Sequence, residues 1–265
     1  WLKPGQTLKT DLYQFRTVAP AYTEQGQLVG GDITRRFTTT SYLTAGLSLT
    51  QSEVNNKETG KIHITTTRLV GAFAWDHSDN PLDPHRGWKA QARVTPTDIL
   101  GQEQLSFVKA EVKGSAYIPI GSINDVLAGQ VHVGSIIGGT IPLVPASDRF
   151  FAGGGAAGRG YAYQSIGPHY ADNTPVGGLS LTEATLEYRH RFGSGPFGAV
   201  VFVDAGSVGN HVTPSFRDVP VSVGVGLRYS LGFAPIRLDV ATPLRKTGVT
   251  GQSAFQMYLS IGQSF

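Results

Sequence analysis

Residues 219–231 read VPVSVGVGLRYSL, a segment in which two kinds of residue alternate. Every odd position is apolar, and the even positions are small or polar. Successive side chains of a strand point to opposite faces, so this period of two predicts a β-strand with one apolar and one polar face. Residues 181–192 repeat the pattern, with Leu186 and Tyr188 on one side and Glu187 and Arg189 on the other.

The same alternation recurs along the whole chain, and no long segment has the 3.6-residue period of a helix. The sequence therefore predicts an all-β, antiparallel protein with twelve strands, near 7–18, 27–37, 41–50, 61–75, 87–94, 105–118, 125–137, 181–192, 197–206, 219–231, 234–243 and 254–265.

Strand length separates two architectures that could hold this pattern. Many runs reach ten or more residues, whereas a strand of a globular protein usually has about 5–6. A soluble sandwich buries the apolar face, but a transmembrane barrel turns that face to lipid and its polar face to a wet interior. The densely charged face of 181–192 suits such an interior, so a transmembrane β-barrel is favoured.

Composition agrees with this interpretation. Charged residues make up 15% of the 265 residues, against about 25% in ordinary soluble domains. No window approaches the ~20 consecutive apolar residues of a membrane helix. Lysine and arginine are scattered instead of forming one patch, which argues against nucleic acid as a partner. The chain has no cysteine, which fits an oxidising envelope compartment.

The connections between strands are predicted to alternate in length. If the C-terminus is periplasmic, the outer connections near 18–26, 51–60, 95–104, 138–178, 207–218 and 244–253 are long. Those near 38–41, 76–86, 119–124, 193–196 and 232–234 are mostly shorter, with 76–86 as the exception. Membrane barrels show this asymmetry. The glycine-rich loop 138–178 is too long to be left without structure or purpose in a compact fold.

Three short motifs occur in the second half of the chain. Residues 148–155 read DRFFAGGG and are followed by GRGY at 158–161. Residues 202–206 read FVDAG, and the chain ends on FQMYLSIGQSF at 255–265. Together they resemble the outer-membrane assembly and translocation barrels, the superfamily of BamA, TamA and the two-partner secretion transporters. Residues 163–168 and 235–244 look most similar to the TamA branch.

The resemblance implies a role for each motif. The family has a Val/Ile-Arg-Gly-Tyr/Phe motif in an outer loop that folds into the lumen, and Arg159, Gly160 and Tyr161 match it; Gly158 departs from the β-branched residue expected before the arginine. The Phe-x-Asp-x-Gly strand motif is matched by Phe202, Asp204 and Gly206. The C-terminal strand, whose final aromatic residue helps to mark the protein for insertion, contributes Phe255, Met257, Leu259, Ile261 and Phe265.

These residues lead to a specific hypothesis for the loop. Arg159 is expected to reach a carboxylate on the barrel wall, chiefly that of Asp204, with Glu183 or Glu187 as secondary partners, because guanidinium–carboxylate pairs are directional and can be bidentate. Gly160 would let the loop backbone pass close to the wall, and Tyr161 would pack beside it.

The resemblance also implies what surrounds the chain. Such barrels have sixteen strands with five after the motif loop, and this sequence has five after it and seven before. Residues 1–265 are therefore expected to be the C-terminal part of the barrel, with four strands and any POTRA domains preceding Trp1. A complete barrel of twelve strands is the alternative.

Other kinds of site find little support in the sequence. Residues 153–158 contain G-x-G-x-x-G, but no helical period follows, so no dinucleotide cofactor is expected. The seven histidines show no metal-ligand spacing, and the cluster of Asp76, Asp79, Asp83 and His85 is interpreted as a turn before a weak cation site. No Gly-x-Ser-x-Gly elbow occurs, and no enzymatic activity is expected.

The sequence thus predicts a non-enzymatic factor in the outer membrane of a Gram-negative bacterium. By resemblance, it would help β-barrel or autotransporter proteins to insert or cross, using a lateral gate with the last strand as one lip. Its partners would be outer-membrane lipid, unfolded clients, and a periplasmic or inner-membrane protein. The alternatives are a two-partner secretion transporter that exports one substrate, and a simple diffusion porin.

Overall fold

A computed structural model describes residues 4–101, 104–155, 157–217, 219–245, 247, 249 and 252–265. Ala156 of the quoted loop, and parts of the predicted connections 95–104, 207–218 and 244–253, lie outside these residues. The described residues form twelve strands and no helix, which confirms the all-β prediction. The strands are β1 (Gln6–Val18), β2 (Tyr22–Arg36), β3 (Ser41–Asn56), β4 (Gly60–Asp76), β5 (Gly87–Leu100), β6 (Leu105–Ile120), β7 (Ser122–Ile137), β8 (Ser180–Arg191), β9 (Phe197–Gly209), β10 (Val221–Ser230), β11 (Pro235–Pro243) and β12 (Gln256–Ile261).

All twelve strands belong to one antiparallel sheet in which each strand pairs with the next along the chain. Seven strands precede the loop 138–179 and five follow it, as predicted. β1 and β12 are the two edges, so the described strands do not close into a ring. Within the described part of the chain, no helix is long and apolar enough to cross a membrane.

The two faces of the sheet differ as the alternation predicted. In β8, Leu186 and Tyr188 are 52% and 40% exposed, whereas Glu187 and Arg189 between and beside them are buried. In β10 the apolar Leu227 is likewise exposed and its neighbour Arg228 is buried. A sheet with greasy side chains outside and charges inside is the reverse of a soluble protein and fits a barrel in lipid.

This arrangement reverses along β3. On its outer face Leu43, Leu47 and Leu49 are followed by the polar Gln51 and Glu53. The adjacent strand switches at the same height, because Leu47 pairs with Leu69 and Gln51 pairs with Thr65. The outer face of the sheet is therefore apolar only on one side of a line that crosses both strands.

Beyond that line the inner face becomes apolar. Val54, Ile64, Ile99 and Phe107 are buried there in one hydrophobic cluster with residues of the loop, including Phe150. Burying a side chain of this size stabilises by about 1.5–3 kcal/mol. Over most of its height the sheet thus has the apolar outer face of a membrane barrel. Near the loop it has the apolar inner face of a soluble β-protein.

The predicted difference in connection length between the two ends of the sheet is found for only some of the connections. At the end of the sheet that carries the loop 138–179, the loop end, the connections are 19–21, 57–59, 101–104, 138–179, 210–220 and 244–255. The expectation that all six are long is wrong for the first three, because β2 begins before its predicted start, and β3 and β5 continue past their predicted ends. In these extensions the outer face is polar, as at Gln25, Gln51 and Asp98, so they do not continue the apolar face of the predicted strands.

The opposite end, the tail end, has short connections apart from 77–86, as predicted. In this turn the Asp79 Oδ1 accepts hydrogen bonds from the backbone N–H groups of Asn80 (3.0 Å), His85 (2.9 Å) and Arg86 (3.1 Å). Partial burial alone would raise the Asp79 pKa, but these donors hold the pKa below its ordinary value. The stabilisation is present at neutral pH and is lost as pH falls through that lowered pKa.

The polarity switch in β3 predicts where lipid ends. Because the chain has no cysteine, single substitutions can carry a fluorescent label. We expect a label at Leu47→Cys to be quenched by lipid-phase quenchers, and a label at Gln51→Cys by aqueous quenchers, in the full-length protein in nanodiscs. Ser48→Cys, on the inner face, is the matched control and should respond little to lipid-phase quenchers. Equal lipid-phase quenching at positions 47 and 51 would contradict the assigned boundary.

Candidate functional site

The loop 138–179 lies against the inner face of the sheet and has its own backbone pairing. Phe150 bridges to Gly178, and Ala152 bridges to Ile166. Its side chains Phe150, Tyr161 and Ile166 join the main hydrophobic cluster. The loop is therefore folded, and it holds the segment 158–161 against the strands that follow it in sequence.

Arg159 is fully buried at the centre of this contact. Its Nε donates to Asp204 Oδ2 and its Nη2 donates to Asp204 Oδ1, both at 2.8 Å. The backbone N–H of Arg159 also donates to Asp204 Oδ2 at 3.0 Å. The side chain and backbone of one residue thus grip one carboxylate, which fixes both the position and the orientation of the loop.

Two further carboxylates complete the guanidinium's surroundings. Arg159 Nη1 lies 3.0 Å from Asp239 Oδ2 and 2.7 Å from Glu187 Oε1. The aromatic ring of Phe202 covers the face of the guanidinium, with its centroid 3.3 Å from Cζ. Edge donors meeting carboxylates and a face meeting an aromatic ring satisfy both kinds of interaction that a guanidinium makes.

Steric contacts explain why glycine occupies the positions on both sides of Arg159. A Cβ on Gly160 would overlap the side chain of Ser222 and lie 2.8 Å from the backbone carbonyl carbon of Thr242. Gly158 has a φ of +73°, and a Cβ there would lie 2.7 Å from Ile166 Cδ1. Ile166 thus occupies the space into which a side chain at position 158 would point, so the departure from the family motif has a local structural basis.

Tyr161 anchors the segment on its other side. Its ring is buried, and its hydroxyl lies 3.0 Å from the carbonyl oxygen of Val221 and 2.6 Å from that of Arg245. Tyr258 of β12 donates its hydroxyl hydrogen to the carbonyl oxygen of Tyr161 at 2.8 Å. The edge strand β12 therefore also contributes to holding the loop.

Three more arginines surround the same carboxylates. Arg189 Nε donates to Glu187 Oε2 at 2.8 Å, and Arg228 Nη1 donates to Asp239 Oδ1. Arg237 Nε lies 3.6 Å from Asp239 Oδ2. Four guanidinium groups thus share three carboxylates, a connected network in which every carboxylate contacts at least one arginine. Among the described residues no group of three His, Asp or Glu side chains could hold a metal ion.

The loop has a second attachment, at the loop end of β3 and β4. Asp148 accepts two hydrogen bonds from Arg68 Nη2, at 2.8 and 3.1 Å. Arg149 Nη2 donates to Glu58 Oε2 at 2.8 Å, and Lys109 Nζ donates to the carbonyl oxygen of Asp148 at 3.0 Å. The partners of Asp148 and Arg149 could not be predicted from the sequence, because they lie far away along the chain, on β4 and β6 and in the connection 57–59.

The structure brings most of the predicted site residues together, and it adds a third carboxylate. Asp204 and Glu187 lie beside Arg159, whereas Glu183 does not: its Oε2 lies 3.0 Å from His132 Nδ1 instead. Asp239 was missed, although it occupies the polar phase of the alternating segment 235–244. Gly206 faces the loop, where an added Cβ would make ordinary contacts with Ile166 and Ala152.

The predicted last strand is divided. Phe255, Met257, Leu259 and Ile261 are all exposed, and the last three alternate along the outer face of β12. The predicted strand 254–265 ends at Ile261, however, and Phe265 lies on the inner side, packed against a cluster that contains Tyr117. The proposed role of these residues in insertion stays a prediction.

Replacing Arg159 should loosen the loop. Arg159→Ala leaves Asp204 without the arginine that pairs with it and removes one of the cations that Glu187 and Asp239 face. Removing one partner of a buried ion pair costs about 3–5 kcal/mol. We expect a lower free energy of unfolding and faster proteolysis within 138–179. Arg16→Ala, at an exposed arginine of β1, is the control. A loss of less than about 0.5 kcal/mol, the range of ordinary surface substitutions, would contradict the assigned anchoring.

Gly160→Ala tests the close approach of the loop to the wall. The added methyl group meets β10 and the end of β11, so the loop must shift away from Asp204, and we expect destabilisation of about 1–3 kcal/mol. Gly114→Ala is the matched control, because a Cβ there would have nothing within 4 Å. If the two variants unfold at the same denaturant concentration, steric exclusion at position 160 is not what requires glycine.

The fold and the motifs can be compared with known proteins. The structure superimposes on the crystal structure of BamA from Haemophilus ducreyi lacking POTRA domains 1–3, with a TM-score of 0.81 and 20% sequence identity. The match covers 97% of this chain and 59% of that chain, so the twelve strands correspond to part of a BamA-type barrel. This likeness shows the fold, and the TamA branch stays a prediction. The Omp85 superfamily domain matches residues 1–265, which confirms the resemblance at the level of the superfamily, and the chain belongs to that superfamily.

Proposed function

We propose that this chain is the barrel part of a factor that helps β-barrel or autotransporter proteins to insert into or cross the outer membrane of a Gram-negative bacterium. Membership of the Omp85 superfamily and the likeness to BamA support assembly or translocation at that membrane in general terms. The loop end would then face outward and the tail end would face the periplasm.

The observation that carries the proposal is a contrast between two parts of the structure. The inner loop is held by many contacts, whereas the last strand is held by few. β12 pairs with β11 over only six residues, whereas β3 and β4 pair over sixteen. A strand that is paired over so short a length can release its N–H and C=O groups to another strand, because these groups need partners.

Lipid makes this edge chemically useful. A client strand that enters a bilayer must have its backbone hydrogen bonds satisfied, since hydrocarbon offers none. Pairing with β12 would supply them, and the exposed apolar residues Met257, Leu259 and Ile261 would keep the joined strands in contact with lipid. The loop anchored by Arg159 would stiffen β8, β9 and β11, so that opening is confined to the last strand.

Photo-crosslinking can locate the client. Leu227, Leu238 and Leu259 form one cross-strand row, because Leu227 pairs with Leu238 and Leu238 pairs with Leu259. A crosslinking amino acid at Leu259 of the full-length protein should capture a stalled client barrel, and one at Leu227, at the same height and equally lipid-facing, should not.

The same experiment separates the rival functions. A probe at Gln91, on the inner face of β5 beside Arg93 and Lys113, reports a substrate that passes through the interior. Capture at Gln91 without capture at Leu259 would contradict edge pairing and favour export through the lumen, as in a two-partner secretion transporter. A diffusion porin would give no protein crosslink at either position.

A further inference from the structure

The last four residues of the chain leave the sheet and enter its inner side. β12 ends at Ile261, and Gly262 has a φ of +94°, a conformation that favours glycine. The N–H of Gly262 donates to the carbonyl oxygen of Pro235 at 2.8 Å. Residues 262–265, the tail, then run along the tail end of the inner face towards β6, β7 and β8.

Gln263 makes the first side-chain hydrogen bonds of the tail. Its Nε2 donates to Asp83 Oδ1 at 2.8 Å, and its Oε1 accepts from Arg228 Nε at 3.2 Å. Arg228 in turn contacts Asp239, one of the carboxylates around Arg159. A chain of hydrogen bonds and ion pairs thus runs from the tail through Arg228 and Asp239 to the loop.

Ser264 provides a shorter route. Its hydroxyl donates to Glu187 Oε1 at 2.6 Å, and the same oxygen lies 2.7 Å from Arg159 Nη1. A single carboxylate oxygen therefore receives a donor from the tail and a donor from the loop. If either donor moves away, the Glu187 carboxylate can change its orientation, and its interaction with the other donor changes as well.

Phe265 seats the end of the tail. Its ring stacks on Tyr117 with 6.0 Å between the centroids, and the Arg189 guanidinium lies 5.0 Å from its centroid. It also packs against the buried side chains of Val126 and Ala128. The tail is thus held by the packing of Phe265 and by three side-chain hydrogen bonds of Gln263 and Ser264.

We propose that the tail and the loop 138–179 form one coupled latch, joined through Glu187 and through the Arg228–Asp239 pair. With the tail seated, Glu187 is oriented towards Arg159 and the loop is held. With the tail withdrawn, residues 262–265 are free to extend β12 as an edge strand, and the loop loses one of its oriented carboxylates. The coupling is a property of this chain alone. It rests on the proposed function only for the agent that would draw the tail out, a strand pairing with β12.

Coupling of this kind is reciprocal. If the seated tail raises the equilibrium constant for docking of the loop by a certain factor, the docked loop raises the equilibrium constant for seating of the tail by the same factor. Couplings between protein sites commonly amount to about fivefold or more in the equilibrium, which is large enough to measure by chemical modification of a buried thiol.

Two reporters can read the two halves in the full-length protein in nanodiscs, without any client. Ala128→Cys places a buried thiol in the cluster against which Phe265 packs, so its rate of maleimide modification measures how often the tail leaves. Ala152→Cys places a buried thiol on the loop, where its rate measures how often the loop leaves. We expect Arg159→Lys to raise the rate at the Ala128→Cys reporter, and Ser264→Ala to raise the rate at the Ala152→Cys reporter, each about fivefold.

Matched controls separate coupling from general loosening. Arg149→Lys weakens the loop's other attachment, at Glu58, and should leave the Ala128→Cys reporter nearly unchanged. Ser230→Ala removes a hydroxyl near the tail end whose oxygen, among the described residues, accepts from the local Gly232 N–H, and should leave the Ala152→Cys reporter unchanged. Ser264→Ala deletes a single hydroxyl group, so it keeps the test open if Arg159→Lys prevents folding.

The outcomes are distinct. If Arg159→Lys exposes the loop while the Ala128→Cys rate stays at the unsubstituted level, or if Ser264→Ala leaves the loop unaffected, the tail and the loop are independent and the latch is wrong. Reciprocal increases without client capture at Leu259 would retain the latch and overturn the proposed client pairing, so the two ideas fail separately.

Discussion

The burial of the Arg159 guanidinium among three carboxylates is the interaction on which the rest of the site depends. Taking a charge out of water costs several kcal/mol unless it is fully paired. Here Asp204, Asp239 and Glu187 meet the edge of the guanidinium and Phe202 covers its face, so the penalty is offset by directional contacts. These contacts come from β8, β9 and β11. One loop residue therefore joins three strands and determines where a loop of some forty residues lies.

A membrane barrel makes such a site possible because its inside is its polar face. The alternation that places Leu227 in lipid places Arg228 towards the interior, and the same holds for Leu238 and Asp239. Charged side chains of four neighbouring strands therefore share the inner face, namely Glu187, Arg189, Asp204, Arg228, Arg237 and Asp239. The loop contacts this charged surface through one buried arginine. Nearer the loop end, where the inner face is apolar, the loop contributes side chains to an apolar cluster.

The fold and part of the site could be predicted from the sequence, and the reason differs from residue to residue. Period-two alternation is local, so the twelve strands, their two faces and the order of loop and strands followed from it. Asp204 and Glu187 were accessible because motif and alternation both mark them. The extensions of β2, β3 and β5 were missed because their outer faces become polar beyond the lipid boundary, which breaks a single pattern into strand and apparent loop.

Asp239, and the choice of Glu187 over Glu183, depend on which strands the loop reaches, a long-range property that no local pattern contains. The turn at Gly262 was equally out of reach. A strand pattern that runs to the last residue gives no sign that Gln263, Ser264 and Phe265 find partners on the inner face, because those partners lie up to 180 positions away. Glycine at 262 permits the turn, but the contacts with Asp83, Glu187 and Tyr117 determine its direction.

The central claim, that Arg159 and Asp204 hold the loop as a pair, is tested most directly by a double-mutant cycle in the unfolding free energy. Arg159→Lys, Asp204→Asn and the double variant would be compared with the unsubstituted protein by denaturant titration. The account predicts a coupling energy of about 1–3 kcal/mol, with the double variant less destabilised than the sum of the single ones. Effects that add within about 0.3–0.5 kcal/mol would show that the two residues act independently, and would contradict the account.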